Sequence, residues 1–455
     1  MTALDHTHYS EPARAEAAEG RLRERLRQAL ATDLPGKVEA IGQGAPMSLE
    51  RRRQIGREVL DAAITAHTEA ELLASRGLLD TAAEQRIADQ VLDEFFGLGG
   101  LQPLLDDPTV ETINVNRFDS VFVQYSDGTR AQAPPVTASN NELTNLVRTL
   151  AARASSEERR FDRGSPALNL QLPGGGRLFA VMALTSGGVT AVSIRRHRYL
   201  TATLAQLRAR DTLDRGLEGF LRVLVRARKN ILITGGAGIG KTTLLRALAS
   251  EMDPLERIVT VEDAFELGLD LDPALHADVT ALQAREPNVE GAGAISQAEL
   301  VRWGLRMSPD RVIVGEVRGP EVVPMLNAMS QGNDGSMATL HASGSKVAFT
   351  RLASYAAQGP ERLSLEATAL LVASSVHFVV HLDKADDRRT RVISSIREVI
   401  AADRGLVISN EIYRAGPDRR ARPIAGALRA DTLDDLVDAG LDPHLLQRPE
   451  GWWSA

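Results

Sequence analysis

Residues 231–243 read Ile-Leu-Ile-Thr-Gly-Gly-Ala-Gly-Ile-Gly-Lys-Thr-Thr. A short apolar run meets a glycine-rich turn, and a run of helix formers follows. The pattern predicts a strand over Asn230–Thr234 and a helix over Lys241–Glu251. From Gly235 to Thr242 the spacing fits G-x-x-x-x-G-K-[ST], the P-loop. Each part has a mechanical reason. Glycines let backbone N–H groups close on phosphate oxygens. The following helix turns its positive dipole end to the same phosphates. A lysine at the position of Lys241 reaches the β- and γ-phosphates, and the Thr242 hydroxyl is a ligand for Mg²⁺. Gly235, Gly236, Ala237, Gly238, Ile239, Gly240, Lys241, Thr242 and Thr243 are therefore the expected binding residues for ATP with Mg²⁺. The plainer alternative is a glycine-rich turn between a strand and a helix.

Around this stretch, strands and helices alternate from Leu213 onward. Ile258–Glu262, Arg311–Glu316 and Ser336–His341 read as further strands, and Val376–Ile412 adds others. Such alternation predicts a parallel sheet wrapped by helices. Ala367–Leu382 is the most apolar long run, broken by Ser374, Ser375, His377 and His381. It falls short of the roughly 18 uninterrupted apolar residues of a membrane span and reads as a buried helix followed by a core strand.

Upstream the pattern changes. Residues 1–80 are polar and Arg/Glu/Ala-rich, with amphipathic helices over Arg21–Ala31 and Ser48–Ala63 and a flexible start over residues 1–20. Arg51, Arg52 and Arg53 read as a solvated helix face, with docking to an acidic partner as the minority view. The next unit opens with a helix over Thr81–Phe96 and turns to short strands. Thr112, Asn114 and Asn116 alternate with Ile113 and Val115, and Asp127-Gly128 supplies a hairpin turn. A helix over Asn141–Ala154 separates these from Leu168, Leu170 and Leu172, which alternate before the turn Pro173-Gly174-Gly175-Gly176. The expected organisation is a helical, partly flexible extension (1–80), a smaller α+β domain (81–199), an α/β ATPase domain (200–415), and a tail with short helices (416–455).

Composition bounds the function classes. The net charge of −7 and aromatic content of 4% disfavour a nucleic-acid motor, which would need basic runs interleaved with stacking rings. Cysteine is absent, which removes disulfides and thiolate chemistry and fits a reducing compartment. The first 20 residues carry Asp5, Glu11, Glu16 and Glu19 and do not read as a secretory signal.

Hydrolysis needs acids beside the phosphates, and in sheets of this type ligands sit at the carboxyl ends of strands. Three strand ends carry suitable groups. Ile258–Val261 runs into Glu262-Asp263, Val312–Gly315 into Glu316, and Ser336–Leu340 into His341. Glu316 has the context of a Walker B acid that supports Mg²⁺. Glu262 is the expected water-orienting group or base, against an exposed strand end or helix cap as the plain reading. His341 has no metal-like partner at suitable spacing, and its plain reading is a satisfied core histidine.

Taken together, these motifs resemble the secretion ATPase superfamily, most closely its CpaF/TadA branch, alongside the conjugation ATPases of type IV secretion. The resemblance rests on Gly235–Thr243 as Walker A, IVTVEDAFEL (258–267) as the acidic box, RVIVGEVRG (311–319) as Walker B and GNDGSMATLHA (332–342) as the histidine box. PNVEGAGAISQAELVRWGLRMSPD (287–310) matches too, as do LLDDPTVETINVN (104–116), FDRGSP (161–166), LPGGGR (172–177) and VSIRR (192–196) in the smaller domain. It covers roughly residues 85–415. Two positions depart from the pattern: Ile239 replaces a small residue, and Asn333 stands where a histidine is common.

The resemblance implies a RecA-like P-loop NTPase fold and fixes roles. Lys241 and Thr242 would serve phosphate and Mg²⁺, Glu262 would be the catalytic base or a water-positioning acid, Glu316 would support Mg²⁺ partly through water, and His341 would sense or contact the γ-phosphate region. Arg177, Arg195 and Arg196 would be clamp or finger residues, because a guanidinium stabilises spread charge and keeps its proton. It further implies an ATP-hydrolysing motor of a pilus-assembly or protein-secretion system, built as a homohexamer. Such a motor is cytoplasmic and bound peripherally to inner-membrane platform proteins, with no strong nucleic-acid binding. The alternatives are a conjugation ATPase of type IV secretion and a nucleotide-gated scaffold with little hydrolysis.

Overall fold

The computed structural model describes residues 11–42, 49–96, 98–153, 160–172, 176–183, 185, 187–196, 202–285, 287 and 292–453. Residues 1–10, 173–175 of the expected glycine-rich turn and 197–201 at the expected boundary between the two domains lie outside them. Two compact units form: residues 1–169 with 178–195, and residues 170–177 with 196–455.

Three helices open the first unit: α1 (Glu11–Gly42), α2 (Leu49–Leu73) and α3 (Thr81–Phe96). Leu22, Leu26 and Leu30 recur every four residues, so they share one helix face and are fully buried. They pack with Ile55 and Leu60 of α2 and Ile87 and Leu92 of α3 in a common cluster. Ion pairs cross the same seams: Arg53 with Asp93, Arg57 with Asp89 and Arg86 with Glu19. Arg53 of the basic run is thus engaged by a neighbouring helix. Both amphipathic helices run longer than their sequence pattern suggested, and residues 11–20, expected to be flexible, are helical. Packing of an apolar face, more than local propensity, sets helix length.

After a short helix α4 (Gln102–Asp106) come β1 (Val110–Arg117), β2 (Ser120–Tyr125), β3 (Arg130–Ala133), α5 (Asn140–Arg153), β4 (Ala167–Gln171), β5 (Arg177–Val181) and β6 (Ala191–Arg195). They make a six-stranded sheet in the order β3-β2-β1-β6-β5-β4. Strand residues alternate: Ile113, Val115, Val121, Val123, Leu178, Ala180, Val192 and Ile194 are buried, and their neighbours are more exposed.

The second unit carries α6 (Leu204–Arg208), α7 (Arg215–Arg226), β7 (Ile231–Gly235), α8 (Lys241–Ala249), β8 (Arg257–Glu262), β9 (Asp278–Gln283), α9 (Gln297–Gly304), β10 (Arg311–Val317), α10 (Val322–Ser330) and β11 (Met337–His341). It continues through α11 (Val347–Gln358), α12 (Leu365–Ser375), β12 (Phe378–Lys384), β13 (Arg391–Asp403), β14 (Leu406–Ala415), β15 (Ala421–Pro423) and α13 (Ala430–Asp438). The nine strands lie in the order β15-β14-β13-β12-β7-β11-β10-β8-β9. Those from β12 to β9 are parallel, and β13–β15 extend the sheet antiparallel.

Central strands are buried on both faces, as in a sheet covered by helices on each side. Ile231 and Ile233 join one apolar cluster, with Leu217 and Phe220 of α7, Leu244 and Leu245 of α8, and Leu436 of α13. Leu232 joins the opposite cluster, with Leu300 of α9, Leu326 of α10, Leu352 of α11 and Val372 of α12. The run 367–382 divides into the end of α12 and the buried strand β12, as its sequence suggested. Parallel strands in this order bring the carboxyl ends of β7, β11, β10 and β8 side by side.

Candidate functional site

The turn after β7 is shaped by glycine where only glycine fits. Gly235 has φ +153, and a Cβ there would sit 2.7 Å from both Ile239 Cγ2 and the Leu382 carbonyl oxygen. Gly240 has φ +98 and forms the left-handed N-cap of α8. The side chain of Ile239, 5% exposed, belongs to the core cluster below the loop. That accounts for the first departure from the expected motif: this position contributes its backbone to the loop and its side chain to the core.

Lys241 opens α8, and its ammonium is held at the mouth of the turn. It donates to the carbonyls of Gly235 (3.2 Å) and Gly236 (2.9 Å) and lies 3.2 Å from His341 Nδ1. His341 ends β11 directly opposite Gly235 in register, and its Nε2 contacts Glu316 Oε1. Its side chain is 39% exposed, so the core-histidine reading gives way to one at the site rim. Glu316, near the end of β10, also receives Arg318 through its other oxygen. Lys241, His341 and Glu316 therefore form one chain of contacts from the start of α8 across the neighbouring ends of β11 and β10.

Glu262 ends β8 in a different environment. It is 2% exposed, so the exposed-strand-end alternative is excluded. Its Oε1 accepts from the backbone N–H groups of Glu266 (2.9 Å) and Leu267 (2.8 Å), fixing the turn after β8, while Oε2 is buried with no hydrogen-bond partner among the described residues. Gly315 of β10 makes room for it; a Cβ there would be 3.0 Å from Glu262 Cγ. Burial pushes the Glu262 carboxyl up to about 7, against the downward pull of the two amides. A carboxyl titrating near neutrality is suited to accept a proton from an attacking water.

Residues beyond the expected set complete the acid cluster. Arg318 lies 3.5 Å from Asp263 Oδ2 as well as on Glu316. With its amide oriented to satisfy both neighbours, Gln297 at the start of α9 donates to the Glu316 carbonyl (3.1 Å) and accepts from the Asp263 N–H (3.3 Å). The buried Arg246 of α8 donates to the Leu267 carbonyl at 2.8 Å, tying the P-loop helix to the acidic turn. Only Arg318 left a readable signal, as a basic residue two positions after a strand-end acid.

The opposite end of the sheet holds Asn333. Its amide donates to the Pro309 carbonyl (2.6 Å) and its own carbonyl accepts from Ser336 (2.6 Å). It stands before β11, with the full length of that strand between it and His341, and acts in a turn. The same turn is gathered by Asn230, whose Oδ1 accepts from the N–H groups of Gly335 and Ser336 and whose Nδ2 donates to the Met329 and Ser375 carbonyls.

Thr242 and Thr243 are half-buried on the first turn of α8. Arg177, in the segment that groups with this unit, approaches Asp263 (3.5 Å) and Glu266 (3.8 Å). Arg195 is exposed at the end of β6, paired in register with Thr112 of β1, and Arg196 follows it. Among the described residues no group of three or more His, Asp or Glu side chains is placed to hold a metal by itself. The donor types of the expected pair, the Thr242 hydroxyl on α8 and the Glu316 carboxylate on β10, suit Mg²⁺, which takes few protein ligands and completes its shell with phosphate and water.

The family described as Type II/IV secretion system protein matches residues 101–412. A putative conjugal transfer protein of Mycobacterium tuberculosis is 36% identical over 331 residues, covering 69% of this chain and 91% of the relative. Type IV secretion system protein PtlH of Bordetella pertussis is 33% identical over 324 residues, covering 66% of this chain and 93% of its own. Among solved structures, the VirB11 ATPase from the Brucella suis type IV secretion system, crystallised with sulphate, is 27% identical. It aligns with 68% of this chain and 95% of its own at a TM-score of 0.35.

Proposed function

Because the chain belongs to the Type II/IV secretion system protein family, we propose that it is an ATP-hydrolysing motor of a secretion machine. The observation that carries this reading is the contact chain Lys241–His341–Glu316 at adjacent strand ends, over a glycine turn shaped for phosphate. In this reading the backbone amides of residues 235–243 and the Lys241 ammonium bind the phosphates. Phosphate oxygens then compete with the Gly235 and Gly236 carbonyls for that ammonium. Thr242 and Glu316 would hold Mg²⁺, the second partly through water, and the ion would supply Lewis-acid neutralisation of phosphate charge. His341 touches the γ-phosphate region, and Glu262 takes the proton of the attacking water. Arg177, Arg195 and Arg196 are the candidates for stabilising the transferred phosphoryl group.

The motor acts as a homohexameric ring in which hydrolysis changes the angle between the two units, and its motion passes to partners in the inner membrane. Among the described residues no helix is long and apolar enough to cross a membrane, so attachment through partners on the cytoplasmic side fits the reading. Relatives named for type IV secretion and conjugal transfer favour that class of machine. The pilus-assembly reading of the CpaF/TadA kind rests on the motif resemblance alone.

The test is Glu316→Gln in the full chain. Turnover should fall at least 100-fold with ATP still bound; undiminished turnover contradicts the site. Single-turnover hydrolysis with membrane partners added separates a motor from a nucleotide-gated scaffold.

A further inference from the structure

One pair of cations near the P-loop has no structural employment. β12 and β13 form an antiparallel hairpin in which Lys384 and Arg391 face each other in register. Direct cross-strand partners project from the same face of a sheet, and like charges in that position are destabilising. Both side chains are exposed. Among the described residues neither makes a side-chain hydrogen bond or an ion pair. Two acids of the same hairpin are engaged elsewhere, Asp383 by Arg419 and Asp387 by the backbone and hydroxyl of its own turn, while Asp386 is exposed in that turn.

The hairpin's position supplies a reason. β12 lies beside β7 with Leu382 opposite Gly235, so Asp383 and Lys384 continue past the point where the P-loop begins. Arg391 reaches back toward that loop: a Cβ built on Gly240 would lie 3.7 Å from Arg391 Cδ. The acids sit on the other flank, because the sheet order runs β12-β7-β11-β10-β8. On the reading that directs the γ-phosphate at Lys241 and the acids, the β12 flank of the P-loop is left for the other end of a nucleotide.

Resting on the reading that the P-loop takes a nucleotide, we propose that Arg391 is a substrate-binding residue. Its guanidinium pairs with the α-phosphate end of the bound nucleotide, and Lys384 reinforces the positive field there. The repulsion between the two cations is relieved when the anion arrives, so the pair acts as a specificity element for charged nucleotide.

The experiment measures dissociation constants of the full chain for ADP and for ATP, each with magnesium, by titration calorimetry. In Arg391→Gln both should rise about tenfold, the scale of one charge-assisted hydrogen bond. In turnover assays the loss should fall on KM more than on kcat. The effect should shrink at high salt, Arg391→Lys should keep most of the affinity, and the melting temperature of Arg391→Gln without nucleotide should equal or slightly exceed the wild-type value, because a like-charge pair is removed. Unchanged affinity in Arg391→Gln overturns the proposal, as does a loss explained by a lowered melting temperature. A loss confined to ATP puts the guanidinium at the γ end and also overturns it. Normal ATP binding by Lys241→Ala would instead remove the underlying nucleotide site.

Discussion

Replacing Glu262 by Gln separates the chemistry of this site from its cost to the fold. Gln keeps the oxygen that accepts from the Glu266 and Leu267 amides and removes the charge. The wild-type carboxyl is raised from its ordinary 4.5 to about 7. Between those values the folded chain binds more protons than the unfolded chain at this group. Stability therefore falls as pH rises through that window and levels off above it. The full penalty on the ionised form is about 3 kcal/mol, an order-of-magnitude figure for a buried group. The variant should match wild type near pH 4 and gain on it steadily toward pH 8. For a unit of this size each kcal/mol is about 2–4 °C in Tm, so the gap should widen by several degrees. Turnover should drop by about 100-fold or more, since the proton acceptor is gone. Thermal melts at pH 5, 6, 7 and 8 with parallel hydrolysis assays provide the check. A gap that stays constant with pH, or a variant less stable at pH 8, would refute the buried-charge argument. Full turnover would refute the role of Glu262 as base.

Arg311 is 1% exposed, pairs with Glu256 and donates to the Gly335 and Val225 carbonyls. Its truncation in Arg311→Ala leaves those groups without partners and should cost about 3–5 kcal/mol in denaturant unfolding; a loss under 1 kcal/mol would contradict its place as a buried hub. Ile239→Ala should lower stability by about 2 kcal/mol or more, as for other buried aliphatic truncations. Its ATP affinity should stay within about twofold, and a large affinity loss with little destabilisation would put that side chain at the phosphates.

What the sequence made legible follows from which interactions are local. The strand–turn–helix at 231–249 is written in adjacent residues, and its structure differs from the expectation only at the ends. Ile258–Glu262, Arg311–Glu316 and Ser336–His341 were visible because strands buried on both faces read as continuous apolar runs. Thr81–Phe96 carries its own helical periodicity and appears with those bounds. Long-range placement was not legible. Nothing local marks Glu262 as buried, because its burial depends on Gly315 two strands of sequence later. Arg311 reads as a polar strand start until Glu256 and the Gly335 carbonyl are brought to it. Ile239 looked like a loop residue because the core beneath it is assembled from β12 and α8. The pairing of Lys384 with Arg391 is a matter of hairpin register, which no run of residues states. Asn333 gave a turn signal that the structure keeps, at the end of β11 remote from His341.

Equilibrium binding of Mg·ATP to wild type and to Lys241→Ala tests the central claim most directly. A phosphate-binding turn at residues 235–243 predicts saturable one-to-one binding by the wild-type chain and a loss of at least 100-fold in the variant, with its fold intact by thermal melting. Equal binding by the two proteins would place the nucleotide elsewhere and contradict the account.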